Sequence, residues 1–264
     1  MRTVPPTRRR EPAVNLPPLL LGSVVALLAV HAARAILSPV TDLELLLALA
    51  FVPASWSVAL GFADPGEILR AAAGADAEEE IRAMRIALAR YLTADATFRP
   101  WTALSYAALH GSWLHVGLNS VWLAAFGAPV VRRAGTGRAL VLFAAAALGG
   151  AAAQWLSGPL SVQPMIGASA IVSGVMAAAA TFIFAGSAGS ERGGWAFLRN
   201  RNALGFLGLW LAINLVFGVV AEPLGITEGA IAWQAHIGGL AVGLLLFPLL
   251  DPSRPRGPGR PFGA

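Results

Sequence analysis

Two side chains in separate apolar stretches of the sequence could together perform acyl-transfer chemistry. Ser169 lies in the run 166–174, near the start of one apolar segment, and His236 lies near the start of another. A serine hydroxyl is a poor nucleophile until a base removes its proton, and histidine is the side chain whose pKa suits that task. The candidate acids lie in connecting segments, so the sequence predicts a Ser–His dyad without an acidic third member.

A second pair of polar residues could stabilise the negative charge that develops during such a reaction. His115 and Asn119 are four residues apart, so both project from one face of a helix. A histidine ring, an asparagine amide and a backbone N–H near a helix N-terminus are all suitable donors to an oxyanion. His115, Asn119 and the Ser169 N–H are therefore predicted to form the oxyanion site.

The composition indicates an integral membrane protein. Apolar residues make up 56% of the 264 residues and charged residues only 12%, whereas a soluble domain has roughly 25% charged residues. The length leaves room for about six or seven spans of roughly 20 residues. There is no cysteine, which excludes disulfides and thiolate metal sites. Arginine without lysine, beside abundant alanine and glycine, is typical of a GC-rich bacterial genome, and its scatter along loop ends does not indicate nucleic-acid binding.

The elements that must position these residues are predicted to be six membrane-spanning helices in an all-α bundle. We place a disordered basic tail at 1–15, a membrane domain at 16–250 and a disordered tail at 251–264. Within the long outer loop 38–105, segment 43–52 is predicted to be re-entrant or interfacial and segment 78–92 an amphipathic surface helix. The first span is predicted to be retained rather than cleaved, with His31 and Arg34 in its last turns snorkelling or meeting lipid headgroups. The six predicted spans are 16–37, 106–131, 138–156, 165–185, 204–220 and 230–250.

Arginine counting predicts the orientation and brings the polar residues to one depth. Arginines concentrate in the tails and in the loops after spans two and four, so the positive-inside rule predicts cytoplasmic N- and C-termini. Spans two, four and six then enter from the outer face. Ser169 would lie about four residues into its span and His236 about six, both within about 10 Å of the outer surface.

Small residues at a spacing of four predict close contact between spans four and six. Ala170 and Gly174 form one such series, and Ala235, Gly239 and Gly243 form the other. Small residues at this spacing allow helix backbones to approach each other in a bilayer. Ala170 is adjacent to Ser169 and Ala235 is adjacent to His236, so packing along these faces would let the hydroxyl and the imidazole meet.

Three motifs resemble those of the rhomboid family of intramembrane serine proteases. They are the run 110–119, which contains His115 and Asn119, the tripeptide Gly167-Ala168-Ser169, and the run 235–239 around His236. They occur in family order, and the similarity covers roughly residues 95–250. The family usually has glycine after the nucleophile, so Ala170 adds a methyl group at a tight crossing. That methyl could open the dyad or be absorbed by Gly239.

The resemblance implies a protease without a cofactor or metal that cleaves other membrane proteins in or beside their transmembrane segments. Ser169 matches the nucleophile, His236 the base, and His115 and Asn119 the oxyanion site. Gly167, Ala170, Gly239 and Gly243 are assigned to helix packing at the site. The expected location is the bacterial inner membrane, and the expected partners are single-span or polytopic membrane-protein substrates and the lipid bilayer. The resemblance further implies that span five is the gate for the substrate and that the 221–229 loop caps the site.

Three other interpretations remain open from the sequence. A rhomboid-like protein could bind membrane helices without cutting them, and Ala170 is the residue that favours this. A small-solute transporter could use the same polar layer, although the inner halves of the spans offer few polar residues. A metal site could form from His110, His115 and His236, but the lack of an intramembrane carboxylate as a further ligand argues against this interpretation. His110 is predicted to be structural or substrate-facing, and Asn214 and Gln154 to make ordinary interhelical hydrogen bonds.

Overall fold

The computed structural model describes residues 15–74, 78–94, 97–184, 196–220 and 232–252, and these are almost entirely helical. The strand-like pairing among them is an isolated antiparallel bridge between Phe51 and Met165. Two 3-10 turns occur at Tyr106–Ala108 and Ala196–Arg199. The α-helices, numbered in chain order, are α1 Pro18–Ala35, α2 Pro39–Leu49, α3 Pro53–Ala59, α4 Pro65–Ala73, α5 Glu79–Ala94, α6 Thr102–Ser105, α7 Trp113–Ala134, α8 Thr136–Ser157, α9 Ser169–Ile183, α10 Arg201–Val220 and α11 Trp233–Leu250.

Four helices of the described chain, α1, α7, α8 and α11, are long and apolar enough to cross a membrane. The apolar helices α9 and α10 lie at the other two predicted spans, and their qualifying stretches are shorter. The protein is therefore a polytopic α-helical membrane protein, as its composition indicated. Most of the two predicted tails, residues 1–14 and 253–264, and the 221–229 loop lie outside the described residues.

The start predicted for span two is wrong because capping chemistry places it later. Residues 102–108 form α6 and a 3-10 turn instead of continuing into the long helix. Ser112 has extended backbone angles, and its hydroxyl accepts a hydrogen bond from the His115 N–H, so α7 begins at Trp113. A serine N-cap of this kind satisfies one of the unpaired donors of a first helical turn. His115 consequently lies in the first turn of α7.

The start predicted for span four is also wrong, and this changes the position of Ser169. Met165 pairs with Phe51 across the isolated bridge, and Gly167 has a φ of +117°, a conformation that other residues rarely adopt. The helix can begin only after this point, and Ser169 is its first residue rather than lying about four residues inside it. His236 is also closer to the start of its helix than the predicted six residues, since it is the fourth residue of α11.

Helix α11 packs against both α8 and α9, and glycine makes the contact with α9 possible. A methyl group added at Gly239 would collide with the backbone of Ala170, and one added at Gly243 would collide with the carbonyl oxygen of Gly174. The helix backbones therefore touch directly at these two positions. The apolar core of the bundle surrounds this contact and includes Leu20, Val130, Leu142, Val175 and Phe247.

We expect Gly239→Ala to destabilise the bundle by about 1–3 kcal/mol, because the added carbon meets backbone atoms that cannot rotate away. Thermal unfolding of the purified protein in detergent measures the effect. Gly208→Ala on α10 is the matched control, since a carbon added there meets nothing within 4 Å. Equal melting temperatures for the two variants would contradict the packing described above.

The segment between α1 and α7 is folded into a layer of short helices, whose apolar side chains form a core together with Val162. Proline occupies the first position of α2, α3 and α4, where its missing N–H costs nothing. Asp64 and Glu67 add a reciprocal capping box to α4. Helix α5 lies at the predicted amphipathic segment, and three of its apolar side chains, Ile81, Met84 and Tyr91, are exposed. An interfacial position for this layer remains a prediction.

Candidate active site

The predicted nucleophile and base meet within hydrogen-bonding distance. Ser169 Oγ lies 2.7 Å from His236 Nε2, and both side chains are partly buried. The two residues belong to different helices, α9 and α11, and lie in the first turn of each. A serine hydroxyl that donates to an imidazole nitrogen is the arrangement required for proton removal during nucleophilic attack.

The additional methyl group of Ala170 is accommodated without separating the pair. Its Cβ faces Gly150 on α8: a carbon added to Gly150 would lie only 2.5 Å from it. Gly239 instead faces the Ala170 backbone. The sequence left open two outcomes, that the methyl group separates Ser169 from His236 or that Gly239 makes room for it. The structure shows neither of them. Glycine on a third helix provides the space.

The segment directly before Ser169 donates two hydrogen bonds to the region preceding α7. The Gly167 N–H donates to the Tyr106 carbonyl oxygen at 3.0 Å, and the Ala168 N–H donates to His110 Nε2 at 3.3 Å. The Tyr106 hydroxyl donates to the Ala147 carbonyl oxygen on α8, which fixes the ring. Gly167 therefore shapes a turn, whereas the sequence assigned it to helix packing. His110 supports the nucleophile segment through its ring.

A buried arginine connects this region to the end of α1. Arg34 donates from Nη1 to the His110 carbonyl oxygen at 2.9 Å and forms an ion pair with Asp42 at 2.7 Å. Its side chain is only 9% exposed, so the predicted snorkelling is wrong. The sequence carried little signal for this contact, because its carbonyl partner is 76 residues away.

His115 and Asn119 differ in how closely they approach the dyad. The His115 ring lies against Gly167: a carbon added there would be 2.8 Å from His115 Nε2 and 3.8 Å from Ser169 Oγ. Asn119 is buried, and its Nδ2 donates to the His115 carbonyl oxygen at 3.0 Å. An amide nitrogen carries two hydrogens, so one donor of Asn119 remains for an oxyanion. Their function as oxyanion donors remains a prediction.

Asn214 is the residue of this site that sequence reasoning undervalued. Its Oδ1 is hydrogen-bonded to His236 Nδ1, and its Nδ2 donates to the Trp210 carbonyl oxygen at 2.8 Å. The sequence predicted only an ordinary interhelical hydrogen bond here. The available signal was a polar side chain in an apolar helix, which is costly unless it has a partner.

An ion pair joins the ends of α7 and α11 that lie away from the dyad. Arg133 near the end of α7 forms three hydrogen bonds with the Asp251 carboxylate directly after α11, between 2.8 and 3.1 Å. The same guanidinium lies 4.7 Å from the ring centre of Phe182 on α9. We call Arg133, Asp251 and Phe182 the inner clamp. It joins the three helices that carry Ser169, His236 and the pair His115 and Asn119.

Comparison with known proteins identifies the class to which this arrangement belongs. Residues 97–252 match the family model described as Rhomboid domain, which is more than half of the chain. The chain belongs to the rhomboid family.

Two curated relatives are each called Rhomboid protease GlpG. The protein of Pectobacterium atrosepticum is 33% identical over 147 residues, which cover 55% of this chain and 47% of the relative. The protein of Serratia proteamaculans is 33% identical over 146 residues, which cover 55% of this chain and 46% of the relative. The chain spans about half the length of these relatives.

Proposed function

We propose that this chain is a serine endopeptidase that cleaves other membrane proteins within or beside their transmembrane segments. The observation that carries the proposal is the 2.7 Å contact between Ser169 Oγ and His236 Nε2, made between two apolar helices of a rhomboid-family bundle. The protease names of the relatives support the same chemistry.

In the first half of the reaction His236 Nε2 takes the hydroxyl proton as Ser169 Oγ attacks a substrate carbonyl carbon. The oxyanion receives hydrogen bonds from the Ser169 N–H, His115 and Asn119. The first N–H groups of any α-helix have no intrahelical acceptor, so Ser169 at the start of α9 provides its N–H without losing a helical bond. Collapse of the intermediate breaks the peptide C–N bond, and His236 donates its proton to the leaving amine.

In the second half a water molecule attacks the acyl-enzyme. His236 removes a proton from the water, and the tetrahedral intermediate expels Ser169 Oγ, which takes the proton back. The nucleophile, the base and the oxyanion donors all come from the chain, so the proposed reaction needs no cofactor or metal.

The substrate is a transmembrane segment whose helix unwinds near the outer face, because carbonyls within a helix are already hydrogen-bonded. We propose lateral entry from lipid between α7 and α10. Two aromatic pairs line this contact: Trp122 and Trp210 have ring centres 6.4 Å apart, and Phe126 and Phe206 5.8 Å apart. They support α10 as the gate because they join it to α7 through side chains rather than through touching backbones.

We propose six spans, α1 and α7 to α11, with both termini cytoplasmic in a bacterial inner membrane. The positions of Arg132 and Arg133 at the end of α7, Arg138 in the first turn of α8 and Arg201 at the start of α10 support this orientation. All lie at helix ends away from the dyad, as the positive-inside rule requires if the dyad is near the outer face.

The proposed function is tested with purified protein in detergent, incubated with single-span reporter proteins and, separately, with a fluorophosphonate probe. We expect reporter cleavage, and we expect mass spectrometry to find the phosphonyl group on Ser169. Reporter binding without cleavage or labelling would instead support a non-catalytic rhomboid-like protein. Absence of both binding and cleavage would overturn the protease proposal and favour a transporter.

A further inference from the structure

We propose that Asn214 is a positioning residue that sets the tautomer and the ring orientation of His236, and that it acts from α10, outside the helix pair that carries the dyad. This inference rests on the proposed function. The side chain of Asn214 is hydrogen-bonded to His236 Nδ1 and to the Trp210 carbonyl oxygen. It acts through the distal nitrogen of the imidazole.

The orientation of the Asn214 amide follows from its second partner. The Trp210 carbonyl oxygen can only accept a hydrogen bond, so the amide nitrogen must face it, at 2.8 Å. The amide oxygen then faces His236 Nδ1. An oxygen that only accepts requires a proton on Nδ1, which leaves the lone pair of Nε2 for the Ser169 hydroxyl.

These contacts form one continuous series of donors and acceptors across three helices. Ser169 O–H donates to His236 Nε2, His236 Nδ1–H donates to Asn214 Oδ1, and Asn214 Nδ2–H donates to a backbone oxygen of α10. The opposite tautomer would place a hydrogen on Nε2 and remove the base. Asn214 also stabilises the imidazolium that forms when His236 takes the serine proton, since its carbonyl dipole points at Nδ1.

Helix α10, which carries Asn214, packs against α9 and α11 much less extensively than α9 and α11 pack against each other. Asn214 is only 7% exposed. Its neighbours Ile213 and Leu215 are 42% and 46% exposed, and Leu209 is 62% exposed. Displacement of α10 from the bundle would remove the acceptor of His236 Nδ1. The base is thus fully oriented only while α10 is docked.

The test compares Asn214→Leu, which keeps the branching at Cγ but has no acceptor, with Asn214→Asp, which keeps an acceptor oxygen. Asn202→Leu is the matched control, because Asn202 is exposed on the same helix. We expect Asn214→Leu to lower kcat about 10- to 100-fold, because this factor corresponds to the free energy of a hydrogen bond to a charged group. KM should change less than about twofold. Phosphonylation of Ser169 should slow by a similar factor. Asn214→Asp should recover most of the rate.

A spectroscopic measurement makes the inference independent of turnover. The chain has only four histidines, so ¹⁵N-histidine labelling gives few ring signals, and His236→Gln identifies the signals of His236. At a pH where the ring is neutral, we expect the wild type to carry its proton on Nδ1 and Asn214→Leu to show a mixture of tautomers.

Unchanged kcat and an unchanged tautomer in Asn214→Leu would overturn the inference. Equal losses in the Leu and Asp variants, together with lowered melting temperatures, would also overturn it by indicating a purely structural role. A wild type that neither cleaves reporters nor reacts with the fluorophosphonate would instead refute the proposed function, while the NMR comparison would still decide whether Asn214 sets the tautomer.

Discussion

Replacing either Ser169 or His236 with alanine should lower the rate of reporter cleavage by at least about 10⁴-fold, the scale observed when a nucleophile or its base is removed. The two side chains act as one unit through their 2.7 Å contact. The double variant should therefore be scarcely slower than either single variant. Single-turnover cleavage in detergent or proteoliposomes, with the melting temperature recorded for each variant, measures both expectations.

Ser173→Ala is the matched control for this prediction. Ser173 lies one turn further along α9, is fully buried, and its hydroxyl has no hydrogen-bond partner in the described part of the chain. Loss of that hydroxyl should leave the cleavage rate near that of the wild type. Full activity in Ser169→Ala, or equal losses in Ser169→Ala and Ser173→Ala, would refute the assignment of Ser169 as nucleophile.

Removing a donor from the proposed oxyanion site should have the next largest effect. We expect His115→Ala and Asn119→Ala each to lower kcat by about 10²- to 10³-fold, because a preorganised donor acts mainly on the charge of the transition state. KM should change little, since the ground-state carbonyl is held less strongly than the oxyanion. Initial rates over a range of reporter concentrations separate the two parameters.

Ser120→Ala provides the comparison on α7. Ser120 is buried beside Asn119, and its hydroxyl likewise has no partner within the described residues. Its truncation tests whether any loss of a buried polar group at this depth slows the reaction. A rise in KM at constant kcat for Asn119→Ala would mean that the amide binds the substrate instead of the transition state.

The sequence could predict the pairing of Ser169 with His236 because three independent patterns agreed. The motifs identified the residues, the small-residue spacing gave the packing faces, and arginine counting gave the common depth. Each is local or periodic in the sequence, and the close contact of Ala170 with Gly239 follows the same spacing rule. Predictions of this kind succeed where short-range features determine the geometry.

The starts of the helices and the contact of Asn214 with His236 could not be predicted in this way. The start of α7 depends on which of several residues caps it, and the start of α9 depends on a bridge to Phe51, 114 residues before Met165 in the chain. Asn214 illustrates a different limit. Helix α10 is apolar on nearly all sides, so its sequence does not indicate which side turns toward His236.

The inner clamp gives the bundle the geometry of a lever. His236 lies 15 residues before Asp251, which is about 22 Å along the axis of α11. A tilt of only about 5° at the clamped end would shift the imidazole by about 2 Å, far more than a hydrogen bond tolerates. The ion pair at one end of the bundle thus helps to define the distance between Ser169 and His236 at the other end.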